Sequence, residues 1–121
     1  MSYHSFENLE VWQRACKLAI RIYGILKDCR DYGMKDQMTR AAVSIASNIA
    51  EGAERDSKAE FIRFIHISKG SAAELRTQVY IAREINLIDK EDHDEISKEL
   101  ISISAMLHSL AKSIKKTLRQ F

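Results

Sequence analysis

The sequence contains no proline and only four glycines among its 121 residues. Proline interrupts helices, and β-rich folds use both residues in their turns, so their scarcity favours long helices. Cysteine is also scarce: the two cysteines are Cys16, on the first predicted helix, and Cys29, just after its predicted end. If that helix extends to Cys29, both cysteines lie on it. A helix would hold their Cα atoms roughly 20 Å apart, too far for a disulfide within one chain. We therefore expect two free thiols.

A strong charge and a long apolar run are lacking as well. Nineteen basic and seventeen acidic residues give a formal net charge of +2, which is too small to indicate nucleic acid by itself. The apolar runs are too short to span a membrane, and the first ten residues lack the apolar segment of a signal peptide. These features predict one globular domain over residues 1–121, located in the reducing cytoplasm without membrane contact.

Apolar residues recur at helical spacing in four segments, about 8–28, 36–52, 58–86 and 90–118. Each segment has a candidate N-cap, and the third has capping-box spacing with Glu60; these caps are Asn8, Asp36, Ser57 and Asp89. In the fourth segment a coiled-coil-like seam of isoleucine and leucine runs from Ile96 to Leu118. In no segment do apolar and polar residues alternate with period two, the pattern of a β-strand, so we expect no sheet. The sequence therefore predicts an all-α fold, an antiparallel up-down-up-down four-helix bundle.

The stretch SIASNIAEG, Ser44–Gly52, mixes small apolar residues with polar ones near the end of the second helix. The apolar arc of this second helix, from Met38 to Ala53, is roughly 200° wide and exceeds what one core face needs, so we expect close packing against neighbouring helices. Serine and asparagine are poor helix formers, which favours a structural network or an interface over a solvated face. Gly52 suits the left-handed position after a helix end. The predicted network comprises Arg40, Ser44, Asn48, Glu51, Gly52 and Glu74; within it, Glu51 and Glu74 can form a carboxylate pair, or either can pair with Arg40.

The residue patterns of common active sites and metal sites are missing. Ser44 and Ser47 have no partnered base and no nucleophile-elbow pattern. Ferritin-like di-metal bundles need a glutamate three residues before a histidine, a spacing that is absent at His4, His66, His93 and His108. The dispersed glycines form no phosphate-binding loop. We predict a protein that is not an enzyme and carries no metal or cofactor.

Three groups of basic residues are candidates for contact with nucleic acid. The first group, Arg14, Lys17 and Arg21, shares its helix face with acidic residues, so a mixed solvated surface is an alternative explanation. The third complements the dipole of the fourth helix and needs no partner; anionic membrane is a further alternative for it. The groups are Arg14, Lys17 and Arg21; Arg55, Lys58 and Arg63; and Lys112, Lys115, Lys116 and Arg119.

Several apolar or small residues lie away from the predicted core face of the third and fourth helices. Together with part of the broad apolar arc of the second helix, they would leave a monomer with exposed apolar surface. We expect an oligomer to bury them, although scattered surface apolar residues are also common. The interface candidates are Ile67, Gly70, Ile81, Ile101 and Ala105.

Four stretches, LEVWQRA, RAAVSIASNIAEG, EFIRFIHISKGSAAEL and IAREINLI, resemble a bacterial family of four-helix bundles. Members of this family are encoded in intervening sequences of large-subunit rRNA genes and are loosely labelled ribosomal. The accessory variability determinant of diversity-generating retroelements is a relative. The resemblance covers nearly the whole chain, and RAAVSIASNIAEG is its most specific part. The family usually has a proline where this chain has Ala46.

The resemblance implies a four-helix protomer that assembles as a ring-like homopentamer. For the retroelement relative it implies binding to nucleic acid and to a reverse transcriptase, and for most members it implies no defined biochemical activity. We therefore expect a homo-oligomeric accessory or scaffold protein associated with RNA or DNA. The alternative is a protein-binding adaptor without nucleic-acid contact.

Overall fold

The computed structural model describes residues 5–118. Within this range the chain forms a short 3-10 turn and four α-helices, and it contains no β-strand. The turn covers Phe6–Asn8, and the helices are α1 (Glu10–Ile25), α2 (Tyr32–Ala53), α3 (Lys58–Glu84) and α4 (Lys90–Leu118).

Each helix packs against its neighbours in sequence, and α1 closes the bundle by a thinner contact with α4. The backbones of the diagonal pairs, α1 with α3 and α2 with α4, stay more than 8 Å apart between Cα atoms within residues 5–118. Short connections between successive helices make each one antiparallel to the next. The predicted all-α, up-down-up-down four-helix bundle is confirmed.

The core is built from one apolar face of each helix. The seam of α4 is fully buried from Ile96 to Leu107, but it ends before Leu118, which is 40% exposed. On α2 the alanines Ala41 and Ala42 are buried, so α2 can approach its neighbours closely. The largest fully buried side chains come from all four helices and from the C-cap of α1, Leu26; those within the helices are Ile22, Met38, Ile45, Ile49, Ile65, Leu75, Val79, Ile96, Leu100, Ile103 and Leu107.

Two of the predicted helix caps are confirmed. Ser57 Oγ accepts a hydrogen bond from the Glu60 amide at 3.2 Å, and Asp89 Oδ1 accepts one from the Asp92 amide at 2.8 Å. The Glu60 carboxylate, which the capping box would direct to the Ser57 amide, is hydrogen-bonded by Arg63 instead. These side-chain caps satisfy amide groups that have no partner within the first helical turn.

The other two predicted caps are wrong. Asn8 belongs to the 3-10 turn, and α1 begins two residues later, at Glu10. The second helix begins at Tyr32, where Asp31 Oδ1 accepts the Met34 amide at 3.1 Å, so Asp36 lies inside the helix. Because α2 begins at Tyr32, Met34 packs against the core, and the burial of its side chain stabilises the additional helical turn.

The helix ends also differ from the sequence prediction. The first helix stops at Ile25, so Cys29 lies in the connection to α2; both cysteines are free, as expected. The third helix stops at Glu84, and Asn86 follows with a φ of 63°. The Asn86 and Leu87 amides donate to carbonyl groups of the last turn, at Arg83 and Ala82, as a Schellman cap requires.

Candidate functional site

Three lysines form an exposed basic patch at the end of α4. Lys112, Lys115 and Lys116 are all solvent-exposed, and none of them forms an ion pair within residues 5–118. We call these three residues the lysine patch. The fourth member predicted for this group, Arg119, lies outside the described residues.

The second basic group lies at the same end of the bundle. Lys69 Nζ contacts His108 Nδ1 at 3.5 Å, and the ring of Tyr80 contacts that of His93 nearer the other end. Residue numbers therefore rise along α3 as they fall along α4, so the start of α3 lies level with the lysine patch. The antiparallel fold thus gathers at one end two basic groups that are far apart in sequence.

The arginines of this second group have local partners. Arg55 pairs with Glu51 at 3.2 Å, and Arg63 pairs with Glu60 at 2.9 Å. The hydrogen bond to Glu60 raises the pKa of the Arg63 guanidinium above its ordinary value. Both guanidinium carbons also lie over the Phe64 ring, at 4.9 Å and 4.6 Å from its centre. Lys58, the remaining member, is exposed.

The first basic group joins α1 to α4. Arg14 Nε donates to Glu99 Oε2 at 2.9 Å, and Arg21 contacts both Asp92, at 3.3 Å, and Glu95. These hydrogen bonds raise the pKa of both arginines. The ion-paired residues other than Asp92 line a groove of about 350 Å³, together with Lys17 and Lys98. Arg14 and Arg21 thus link α1 to α4, which leaves Lys17 as the member of this group without an ion pair within residues 5–118.

Of the polar residues of SIASNIAEG, Ser44 lies in the contact between α2 and α3, whereas Ser47 lines a groove between α1 and α2. Ser44 Oγ and Ser71 Oγ lie 2.9 Å apart, and Asn48 Nδ2 donates to Ser44 O at 2.8 Å and to Ser44 Oγ at 2.9 Å. The fully buried Ser68 donates from Oγ to Ile45 O at 2.7 Å. The Ser44–Ser71 and Ser68–Ile45 hydrogen bonds thus link α2 to α3, and the bonds from Asn48 to Ser44 lie within α2.

Two of the three charged members of the predicted network, Arg40 and Glu51, pair with residues of their own chain neighbourhood and not with each other or with Glu74. Arg40 forms an ion pair with Asp36, and Glu51 pairs with Arg55. Arg40 and Glu74 line one cleft of about 330 Å³ between α2 and α3, together with Ser44 and the buried Gln78.

The predicted role of Gly52 is wrong. Gly52 lies within α2, and no glycine in the described part of the chain has a positive φ. A Cβ atom at this position would lie 2.6 Å from Phe64 Cβ and 3.1 Å from Phe61 Cδ1. Glycine therefore permits the close approach of α3, and it does so without a left-handed backbone.

The predicted interface residues are exposed on the outside of α3 and α4. Ile67 is 40% exposed, Ile81 42% and Ile101 51%. Gly70 and Ala105 are also exposed, and a Cβ atom at Gly70 would meet nothing within 4 Å. This surface is open in the protomer, as an interface candidate must be.

A second apolar surface lies between α1 and α2, where sequence reasoning named no interface residue. It is a groove of about 480 Å³ whose lining includes Trp12, Cys16 and Ala46. Ile20 on its rim is 71% exposed and Val43 is 40% exposed. Trp12 has the helical spacing of a core residue, so the sequence offered no reason to place it in a surface groove. The one signal for this groove in the sequence was the apolar arc of α2, which is wider than one core face. Burial raises the pKa of the Cys16 thiol, so its reactive thiolate form is disfavoured.

One polar cluster on α4 resembles a catalytic triad in composition. His93 Nδ1 lies 2.8 Å from Asp94 Oδ1, and His93 Nε2 lies 3.4 Å from Ser97 Oγ. The second distance exceeds the range of about 2.6–3.2 Å expected between a nucleophile and its base. In the described part of the chain no group of three or more histidine, cysteine or acidic side chains is placed to hold a metal ion. None of the helices there is long and apolar enough to cross a membrane.

Comparison with known proteins gives a family and a fold. The model of the 23S rRNA-intervening sequence protein family matches residues 7–109. A crystal structure of a protein of unknown function from the S23 ribosomal protein family of Bacteroides thetaiotaomicron is similar, with a TM-score of 0.79 and 26% identity. That similarity covers 84% of this chain and 98% of the other. No curated protein matches the chain.

Proposed function

Because the chain belongs to the 23S rRNA-intervening sequence protein family, we propose that it is a homo-oligomeric, non-enzymatic accessory or scaffold protein that associates with nucleic acid. The observation that carries this proposal is the lysine patch, whose three exposed ammonium groups have no ion-pair partner within residues 5–118. Such groups bind phosphates by releasing counterions, and the affinity grows with the number of contacts.

Assembly strengthens this argument. Each copy in a ring adds another lysine patch, so a surface that binds weakly in one protomer binds more tightly when it is repeated. Apolar side chains exposed on α3 and α4 and in the groove between α1 and α2 offer two separate surfaces for contact between copies. Two different surfaces suit a head-to-tail interface, which can close into a ring.

The family resemblance supplies the finer features of the proposal. It favours a homopentamer with RNA or DNA as partner. The cytoplasmic location is proposed from the sequence, because the first ten residues lack the apolar segment of a signal peptide. Through the retroelement accessory protein, the resemblance also implies a reverse transcriptase as a candidate protein partner.

A gel-shift experiment at low salt tests nucleic-acid association with structured RNA and duplex DNA. We expect wild type to shift at least one of them, and we expect the triple variant Lys112→Glu, Lys115→Glu and Lys116→Glu to bind at least tenfold more weakly. The control variant, Lys27→Glu, Arg30→Glu and Lys90→Glu, changes the net charge equally at the opposite end of the bundle and should retain more affinity. No shift by wild type at low salt would overturn the proposal.

A protein-binding adaptor is the second candidate function. The apolar groove between α1 and α2, with Ile20 exposed on its rim, is the observation that favours it. A partner captured equally well before and after nuclease treatment, combined with no gel shift, would favour this alternative.

A further inference from the structure

A groove of about 520 Å³ between α3 and α4 differs in chemistry from the other surfaces. Its lining contains an aromatic ring, a guanidinium group, two hydroxyl side chains, an imidazole and an alanine, and it contains no carboxylate. The lining residues are Ala73, Arg76, Thr77, Tyr80, His93 and Ser97. We call it the Tyr80 groove.

The aromatic ring is accessible in this groove. Tyr80 is 55% exposed, and its ring meets that of His93 edge to face, with the ring centres 6.4 Å apart. Ala73 and Thr77, within two turns of Tyr80 on α3, are small and leave space beside the ring. A flat ligand can therefore stack on Tyr80 without moving a helix.

The side chains around the Tyr80 ring can form hydrogen bonds with the polar edge of a flat ligand and an ion pair with a negatively charged group on it. Arg76 lies one helical turn before Tyr80 and has no ion-pair partner within residues 5–118. Across the groove, the weak 3.4 Å contact between His93 Nε2 and Ser97 Oγ is easily exchanged for hydrogen bonds to a ligand. His93 Nδ1 is held by Asp94 at 2.8 Å, which fixes the orientation of the imidazole.

We propose that the Tyr80 groove binds an unpaired nucleobase of single-stranded nucleic acid, with the base stacked on Tyr80 and the adjoining phosphate bound by Arg76. Stacking on an aromatic side chain beside a cation is the common way in which proteins hold single strands. Bases within a duplex are already stacked and cannot enter the groove. This inference rests on the proposed nucleic-acid association and assigns a second, strand-selective contact far along the bundle from the lysine patch.

Fluorescence anisotropy at low salt tests the inference. The probes are a short labelled single strand of RNA, the same strand as DNA, and the RNA duplex. Replacing Tyr80→Ala should weaken single-strand binding roughly tenfold, because the stacking of one base is lost. Tyr80→Phe keeps the ring and should retain the affinity. Tyr23→Ala is the matched control, since Tyr23 is 53% exposed on another helix and should have no effect.

Comparing single-stranded RNA, single-stranded DNA and the RNA duplex shows whether base stacking accounts for binding at the Tyr80 groove. Equal losses on RNA and DNA single strands, with duplex binding unchanged, support stacking as the shared interaction. A larger loss on RNA supports the same site with an added contact to the ribose hydroxyl. If Tyr80→Ala leaves single-strand affinity unchanged while the lysine-patch variant loses binding, this inference fails and the proposed function stands. If wild type binds none of the probes, both fail.

A second copy of the chain is the competing occupant of this groove. In that case Tyr80→Ala would lower the mass measured by light scattering and leave single-strand affinity unchanged, a result that would overturn the inference. Thermal unfolding of each variant checks that the exposed substitutions leave the fold intact.

Discussion

At the scale of the single residue, the sequence correctly marked Gly52 as a structural position but assigned the wrong physical reason for glycine there. The end of SIASNIAEG suggested a helix stop, and the sequence indicated no other reason for glycine at this position. The structure places Gly52 against Phe61 and Phe64 of the next helix. Helical periodicity shows which face a residue lies on, but it does not show how near the neighbouring backbone comes.

We predict that Gly52→Ala destabilises the protein by about 1–3 kcal/mol, because the added methyl group overlaps Phe64 and forces a shift of α3. Gly24→Ala is the matched control: a Cβ atom there meets nothing within 4 Å, so removing glycine from α1 should stabilise by about 0.5–1 kcal/mol. Urea unfolding measures both. Equal effects of the two substitutions would show that close packing is not the reason for glycine at position 52.

The helix caps mark another limit of prediction at this scale. Ser57 and Asp89 are identifiable because each directly precedes an apolar helical pattern. At the second helix both Asp31 and Asp36 have suitable side chains, and the choice depends on whether Met34 gains core contact. That contact is tertiary, so the local sequence does not reveal it.

At the scale of the helix, the contacts between neighbours have two different characters. The α2–α3 contact uses small side chains and a buried hydrogen bond from Ser68 to Ile45. The contact between α1 and α4 uses ion pairs from Arg14 and Arg21. The sequence predicted the small-residue packing of α2, but the pairing of Arg14 with Glu99 depends on how α1 and α4 are aligned. For that reason Arg14 and Arg21 entered the sequence prediction as nucleic-acid candidates.

We expect Arg14→Ala to lower the free energy of unfolding by no more than about 1 kcal/mol, because the pair with Glu99 is partly exposed to solvent. Salt should reduce this difference. A double-mutant cycle with Glu99→Ala, measured by urea unfolding at low and high salt, isolates the pair. A coupling free energy of zero at low salt would contradict a stabilising role for these charges.

The start of α4 carries a pH dependence. Hydrogen bonds from Lys90 and His93 lower the pKa of Asp94 to about 2. Because the folded-state pKa is depressed, the contribution of Asp94 to stability is present above its ordinary pKa near 4 and is lost as the pH falls toward 2. NMR titration of the Asp94 carboxyl carbon should give a midpoint near pH 2, which Lys90→Met should raise. A midpoint at the ordinary value in wild type would contradict the assigned hydrogen bonds.

At the scale of the whole molecule, charge and apolar surface are distributed unevenly. The lysine patch lies at one end, and exposed isoleucines lie on the flanks. The sequence predicted that Ile67, Ile81 and Ile101 lie off the core, because each departs from the apolar face of its own helix. It did not reveal the groove between α1 and α2, which exists only when the two helices are side by side.

We predict that the purified protein is an oligomer, with five copies as the expected number, and that light scattering gives a mass about five times 13.9 kDa. The pair of substitutions Ile81→Asp and Ile101→Asp should lower this mass, since a charge buried in an interface without a partner is costly. A wild-type mass near 13.9 kDa at micromolar concentration would refute assembly.

The most direct test of nucleic-acid association through the lysine patch is the salt dependence of binding to one duplex. For wild type, the logarithm of the binding constant should fall linearly with the logarithm of the salt concentration. The neutral variant Lys112→Gln, Lys115→Gln and Lys116→Gln should lose about 0.9 units of this slope for each lysine that contacts a phosphate. A variant whose slope and affinity equal those of wild type would contradict the central claim that these lysines bind nucleic acid.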